Sequence, residues 1–250
     1  MSIHTSRHSH AASIASVSLR IIAFAMVLFC SAPALAGTLQ LPHIPRIPQP
    51  KSAPVSAALM RSLSAWDKQK RFEAQECARQ VAKIKAQEKR LSIEAEFDLR
   101  YEVLLDTPTL YSVAFSLNVF CGGAHPDHVE RGIVFDLTTG KTYDPLKLYA
   151  IASKGQFGYE FRSSVREMIR QRLIEKRGPT LKDDECLQAL KDDDIRYIDD
   201  GIVALGQKGL AITYSGAHVV QACFAPVVLP YSALKGFLNQ QEAARLRWQQ

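Results

Sequence analysis

Cys121, His125 and His128 fall within eight residues of one another, with Asp127 and Glu130 beside them. A His-x-x-His spacing can present two imidazoles to zinc, and a thiolate nearby would add to the donor set. Two features oppose a metal site. An oxidised Cys121 is no ligand, and the segment reads as a loop, not as the helix that carries metalloprotease histidine pairs. His125 fits a hydrogen-bonded turn histidine better, so neither a metal nor a cofactor is expected. The alternative kept beside this reading is a metal-dependent hydrolase working through His125 and His128. His218 is the other histidine expected inside the fold.

Ser232 and Lys235 match the Ser-x-x-Lys arrangement in which a helix-borne lysine activates a serine. The companion Ser-Asp-Asn and Lys-Thr-Gly motifs are absent, and Pro230-Tyr231-Ser232 reads as a helix start with Ser232 as its cap. The sequence also lacks a Gly-x-Ser-x-Gly elbow, a His-Glu-x-x-His pair and a phosphate-binding glycine loop. Asp192, Asp193 and Asp194 lack the glycine and spacing of a calcium loop, and they read as a solvated connection.

The first residues read as an export address. Arg7 and Arg20 precede an apolar run over residues 21–29, and a small-x-small ending follows at Ala34, Leu35 and Ala36. That order is the pattern of a secretory signal peptide, with cleavage expected after Ala36 and the periplasm as destination. Pro33 interrupts the apolar stretch, which is too short to span a bilayer, so no membrane span is expected after cleavage.

Beyond Ala36, four cysteines remain: Cys77, Cys121, Cys186 and Cys223. An even count in an exported chain reads as two disulfides. Three pairings are possible. Cys77–Cys121 and Cys186–Cys223 are favoured, because each joins segments that are neighbours in the layout below.

The elements that must position these residues follow from periodicity. Pro42, Pro45, Pro48, Pro50 and Pro54 make residues 37–56 a proline-rich linker, expected to be extended and to build no core. Residues 57–90 hold no Pro or Gly and are rich in Ala, Glu, Lys, Gln and Arg, which predicts a helix. Alternation over 93–103 predicts a half-buried antiparallel strand with one solvated face. A turn at 106–109 then leads into a second alternating run over 111–119, making a hairpin. The glycines and proline of 121–128 break the strand.

Further strands are expected at 132–136, 202–205, 210–214 and 219–229, and helices at 159–177, 181–190 and 232–238. Residues 57–240 form a single expected domain and 241–250 a polar tail. The fold class is α+β with a mainly antiparallel sheet and flanking helices.

Removing residues 1–36 leaves 29 basic and 25 acidic residues, a net charge of +4. That is too small and too scattered for nucleic acid. Local imbalances remain: nine bases against four acids over 61–90, and eight acids against three bases over 182–200. Both read first as solvated helix faces, and second as weak contacts with an anionic wall polymer or a cationic protein.

Two segments carry a resemblance. Gly122-Gly123-Ala124-His125-Pro126, then Asp136-Leu137-Thr138-Thr139-Gly140-Lys141 and Tyr143-Asp144-Pro145-Leu146, resemble the extracellular domain shared by RsiV-type anti-sigma factors and PdaC-type peptidoglycan deacetylases. Residues 209–214 and 226–234 fit the closing half of that domain, so the resemblance covers roughly 70–238. It implies an α+β fold and an envelope-facing binding module. The sigma-binding segment and span of the first group, and the catalytic domain of the second, have no counterpart in this sequence.

The expectation is therefore a non-catalytic periplasmic binding module of the cell envelope. It would contact a cell-wall glycan or an envelope protein such as lysozyme. Candidate contacts are His125, Asp127 and His128 in the loop 122–130, or the solvated face carrying Glu94, Glu96 and Arg100. Lysozymes are usually cationic, so of the charge pattern only the acidic 182–200 stretch would attract one.

Overall fold

Eleven-residue alternation builds the centre of the protein. The computed structural model describes residues 43–154, 159–177, 198, 201–216 and 224–249, all within the compact unit Thr38–Gln250. Strands β1 (Glu96–Asp106), β2 (Leu110–Phe120) and β3 (Asp127–Asp136) form an antiparallel meander. The short strands β4 (Lys141–Thr142) and, from much later in the chain, Ser215–Gly216 also pair with β3. Register places Phe97 opposite Val119, Leu99 opposite Leu117 and Tyr101 opposite Phe115. It also places Leu117 opposite Val129 and Tyr111 opposite Phe135, so one face is apolar throughout.

Helix α1 (Ala57–Gln87) covers that face. Ser56 caps it, its hydroxyl accepting the Leu59 N–H at 3.1 Å. Leu59 and Leu63 pack on Tyr111, Val113 and Phe135, while Ala74 and Cys77 pack on Phe97, Leu99, Phe115 and Leu117. The helix ends before 88–90, where three exposed charged residues offer no apolar contact to extend it.

The proline-rich segment departs from the expected tether. Ile44 and Ile47 are buried against the α1 side of the sheet. Prolines cannot join a ladder, so the segment is pinned by isolated bonds instead. Tyr111 OH donates to the Pro48 carbonyl at 2.9 Å, and Asp67 accepts the Ile47 N–H at 2.9 Å. Asp106 accepts from the N–H groups of Lys51 and Ser52 and from the Ser52 hydroxyl.

The opposite face of the meander is not left to water as the alternation predicts. Leu110 and Ser112, which alternation points to that face, have no exposed surface, because a second sheet lies over that end of β2. After the hairpin β5 (Ala152–Lys154) and β6 (Tyr159–Phe161), helix α2 (Ser163–Arg177) buries Val165, Ile169 and Leu173. The second sheet is antiparallel, in the order β10–β8–β7, from β7 (Ile202–Leu205), β8 (Gly209–Thr213) and β10 (Val227–Pro230); Ser215–Gly216 is β9. Leu205, Leu210 and Leu229 lie level across it and share a core with α2. The class is α+β with antiparallel sheets.

Two expectations at the C-terminus are corrected. The helix at Tyr231–Phe237 is a 3-10 helix capped by Pro230 without a side-chain bond, and Ser232 is exposed. The tail contains helix α3 (Gln240–Arg245), capped by Asn239, whose side chain accepts from the N–H groups of Gln241 and Glu242. Ala243 and Leu246 are buried, Thr109 Oγ1 donates to the Leu246 carbonyl at 2.6 Å, and Trp248 Nε1 donates to Tyr149 OH at 3.0 Å. Two apolar residues one turn apart are enough to seat so short a helix. Residues 159–161 are strand, not helix; their chain pairs with 152–154 before α2 begins.

Candidate functional site

The cleft-facing side chains of the meander lie in three cross-strand rows fixed by register. Asp98, Asn118 and His128 form one; Arg100, Ser116 and Glu130 the next; Glu102, Ala114 and Gly132 the third. Small residues at the centre of the second and third rows leave room above the sheet.

Gly132 closes one end of that room. A methyl group built on it would stand 2.2 Å from the Ala204 Cβ, so β3 and β7 approach here as closely as two backbones allow. On the second sheet, Ala204, Ala211 and Val228 are in register and face the meander, as does Thr213 on the neighbouring row. From the Gly132–Ala204 contact toward β1 and β10, the sheets enclose a cleft of about 380 Å³.

The meander contributes Arg100, Glu102, Leu104, Ser116 and Glu130 to its walls. The other side contributes Ala211, Thr213, Val227 and Val228, with Lys176 from the end of α2. Two cations and two carboxylates therefore ring a small, mostly aliphatic floor. Arg100 is held by Asp98, its Nη2 2.6 Å from Oδ2, and Lys176 donates to the Pro226 carbonyl at 2.6 Å. Tyr101 and Phe115 border the cleft with their backbones; by alternation their rings point to the α1 side, where Trp66 Nε1 donates to Tyr101 OH at 2.8 Å. Burial raises the Tyr101 phenol to about 12, against the opposing effect of the Trp66 bond.

The histidine cluster is only partly assembled. His128 lies in β3, not in the loop, with Nδ1 2.5 Å from Asn118 Oδ1 and Nε2 3.3 Å from Glu130 Oε1. Asp127 is level with Val119 and so projects to the opposite face of the strand. His125 is exposed in the preceding turn. Cys121 is bonded to Cys77, which removes it as a thiolate donor. Among the described residues, no three His, Cys, Asp or Glu side chains are grouped to hold a metal ion.

Of the sheet-face candidates, Arg100 lines the cleft, while Glu94 and Glu96 are exposed outside it. Loop and sheet face were expected as alternatives, yet Glu130 and Arg100 share one row. The expected pairing Cys186–Cys223, His218, the helix at 181–190 and the acid cluster at 192–194 lie outside the described residues. Sequence reasoning missed Glu102, Lys176 and Thr213, whose only signal is register and a tertiary contact. It also missed Lys70, buried to 7% exposure on α1, where Nζ lies 2.7 Å from Glu73 and 4.8 Å from the centre of the Trp66 ring. No helix among the described residues is long and apolar enough to cross a membrane.

No protein-family model matches the sequence, and no curated protein matches it either. Solved structures do. A member of the DUF3298 family from Bacteroides fragilis is 14% identical, with 75% of this chain and 73% of that one covered and a TM-score of 0.46. A DUF3298 family protein from Pseudomonas aeruginosa is 21% identical over 58% of this chain, which spans 62% of that protein, with a TM-score of 0.34. These structural neighbours are DUF3298 proteins, the domain type that RsiV- and PdaC-like proteins share.

Proposed function

We propose that this protein is a non-catalytic binding module of the cell envelope, exported to the periplasm after cleavage at Ala36, and that the inter-sheet cleft is its binding surface. The observation that carries the reading is the row Arg100–Ser116–Glu130, continued across the cleft by Lys176. Arg100 and Glu130 stand two strand spacings apart, about 10 Å. That span suits a zwitterionic or polar group of a partner laid over Ser116. Val228 and Leu104 supply apolar contact around the charges. The module would contact a cell-wall component or an envelope protein such as lysozyme, as the resemblance of the Gly122–Pro126 and Asp136–Lys141 motifs implies.

The test is calorimetric titration of residues 37–250 with purified lysozyme, then with soluble wall fragments, after disulfides are confirmed by mass. Saturable binding that Arg100→Glu and Glu130→Arg each weaken tenfold or more supports the reading. Binding indifferent to both reversals would move the site elsewhere. Turnover of peptidoglycan that disappears in a single point variant would end the non-catalytic assignment.

A further inference from the structure

The outward face of α1 has a character of its own. Opposite the buried line of Leu59, Leu63, Ala74 and Val81, helical spacing puts Arg61, Lys68, Arg71 and Lys83 on the exposed side. The acids of the helix are mostly engaged. Asp67 accepts the Ile47 N–H, Glu73 takes Lys70 and Gln69, and Glu76 pairs with Arg79. Asp67 keeps its charge beside Arg46, Lys68 and Arg71, so three cations against one carboxylate leave this part of the face with a net positive charge.

Amid these cations Phe72 is 58% exposed, the most exposed of the large hydrophobic side chains described. Beside it, a groove of about 520 Å³ runs between α1 and the proline-rich segment, lined by Arg46, Lys68, Arg71 and Phe72, with Asp67 also at its wall. The Arg71 guanidinium is anchored there, Nη2 donating to the Ile44 carbonyl at 3.3 Å. Positioned cations around one exposed aromatic ring match a surface that is anionic at its headgroups and apolar just beneath.

We propose that this face docks reversibly on an anionic phospholipid surface. Arg46, Lys68 and Arg71 take headgroup phosphates and Phe72 enters the interface. One helix face with a single exposed ring gives weak, salt-sensitive attachment, not insertion. The consequence is orientation. Helix α1 covers one face of the meander and the cleft opens on the other, so a protein docked through α1 holds its cleft away from the lipid. This proposal does not depend on what the cleft binds.

The test is co-sedimentation of residues 37–250 with phosphatidylcholine vesicles containing phosphatidylglycerol, and with phosphatidylcholine alone. Binding is expected only to the anionic vesicles, falling as salt rises. The Lys68→Glu/Arg71→Glu double variant should abolish it, and neutralising either base alone should weaken it about fivefold. Phe72→Ala should weaken binding without changing its salt dependence, and Arg100→Glu on the cleft face should leave it intact. Circular dichroism checks that the surface variants fold. Equal binding to both vesicle types, none to either, or full binding by the double variant would overturn the proposal. So would capture by dextran sulfate without vesicle binding, which would indicate a soluble anionic polymer instead.

Discussion

Gly132 and Ala204 bring two sheets into backbone contact, with space for no more than a hydrogen on β3, since a methyl there would lie 2.2 Å from the Ala204 Cβ. The contact is the closed end of the cleft. Gly132→Ala is expected to wedge the sheets apart at a cost of about 1–3 kcal/mol, and Gly132→Val to cost more. Urea unfolding checks this. A change below about 0.5 kcal/mol, the range of an ordinary surface substitution, would show that the sheets part freely.

The Cys77–Cys121 disulfide ties α1 to the end of β2 across 44 residues of chain. A loop of that size corresponds to about 4 kcal/mol on the chain-entropy account. The Cys77→Ala/Cys121→Ala double variant should therefore unfold at clearly lower urea than the oxidised protein. Equal midpoints for the two would mean that the bond adds nothing the α1–sheet core does not already provide.

Arg245 reaches back from α3 to β3, its Nη1 2.7 Å from Asp136 Oδ2. Burial by itself would raise the Asp136 carboxyl. Bonds from Arg245 and from the Thr139 and Thr138 N–H groups, with the Arg245 charge, outweigh it and hold the group below the usual carboxylate range. The unfolded chain therefore takes up this proton first, so the stabilisation is present above about pH 4 and is lost as pH falls through the depressed native value. Arg245→Ala should cost about 2 kcal/mol at neutral pH and flatten the acid limb of the stability curve. An unchanged acid limb would mean the Thr N–H donors suffice.

At the alkaline end the sign reverses. Tyr101 and Tyr111 are both raised to about 12 by burial, against an unfolded value near 10. Their contribution is complete below about pH 10 and is lost between about 10 and 12, as the unfolded chain ionises first. Phenolate absorbance against pH should show these rings titrating together with unfolding. Tyr111→Phe leaves the Pro48 carbonyl without its hydroxyl donor, costs about 1 kcal/mol and softens that alkaline loss. Early titration of both rings, well before unfolding, would show that the α1 core admits water.

Local periodicity made much of the fold legible. The alternation from Phe97 and from Tyr111 identified the hairpin, and the Ala57 helix stood out by composition. Errors arose where a tertiary partner decided the state of a segment. Ile44 and Ile47 look like linker residues until α1 and the sheet offer them a pocket. Leu246 and Trp248 look like tail until Tyr149 and Thr109 receive them.

The candidate site divides along the same line. His128 and Arg100 could be singled out by residue type, and strand alternation alone would separate Asp127 from His128. Nothing local could join Arg100 to Glu130 and Lys176, because their meeting depends on cross-strand register and on a second sheet built from residues after 200. The sequence by itself determined the α+β class and the helix and strands of greatest periodicity, since those depend on short-range spacing and composition. Only the tertiary structure decided which face of the meander is covered, where the two sheets pinch and which charges ring the cleft. Those depend on contacts between residues far apart in the chain, whose energy is set by shape as much as by type.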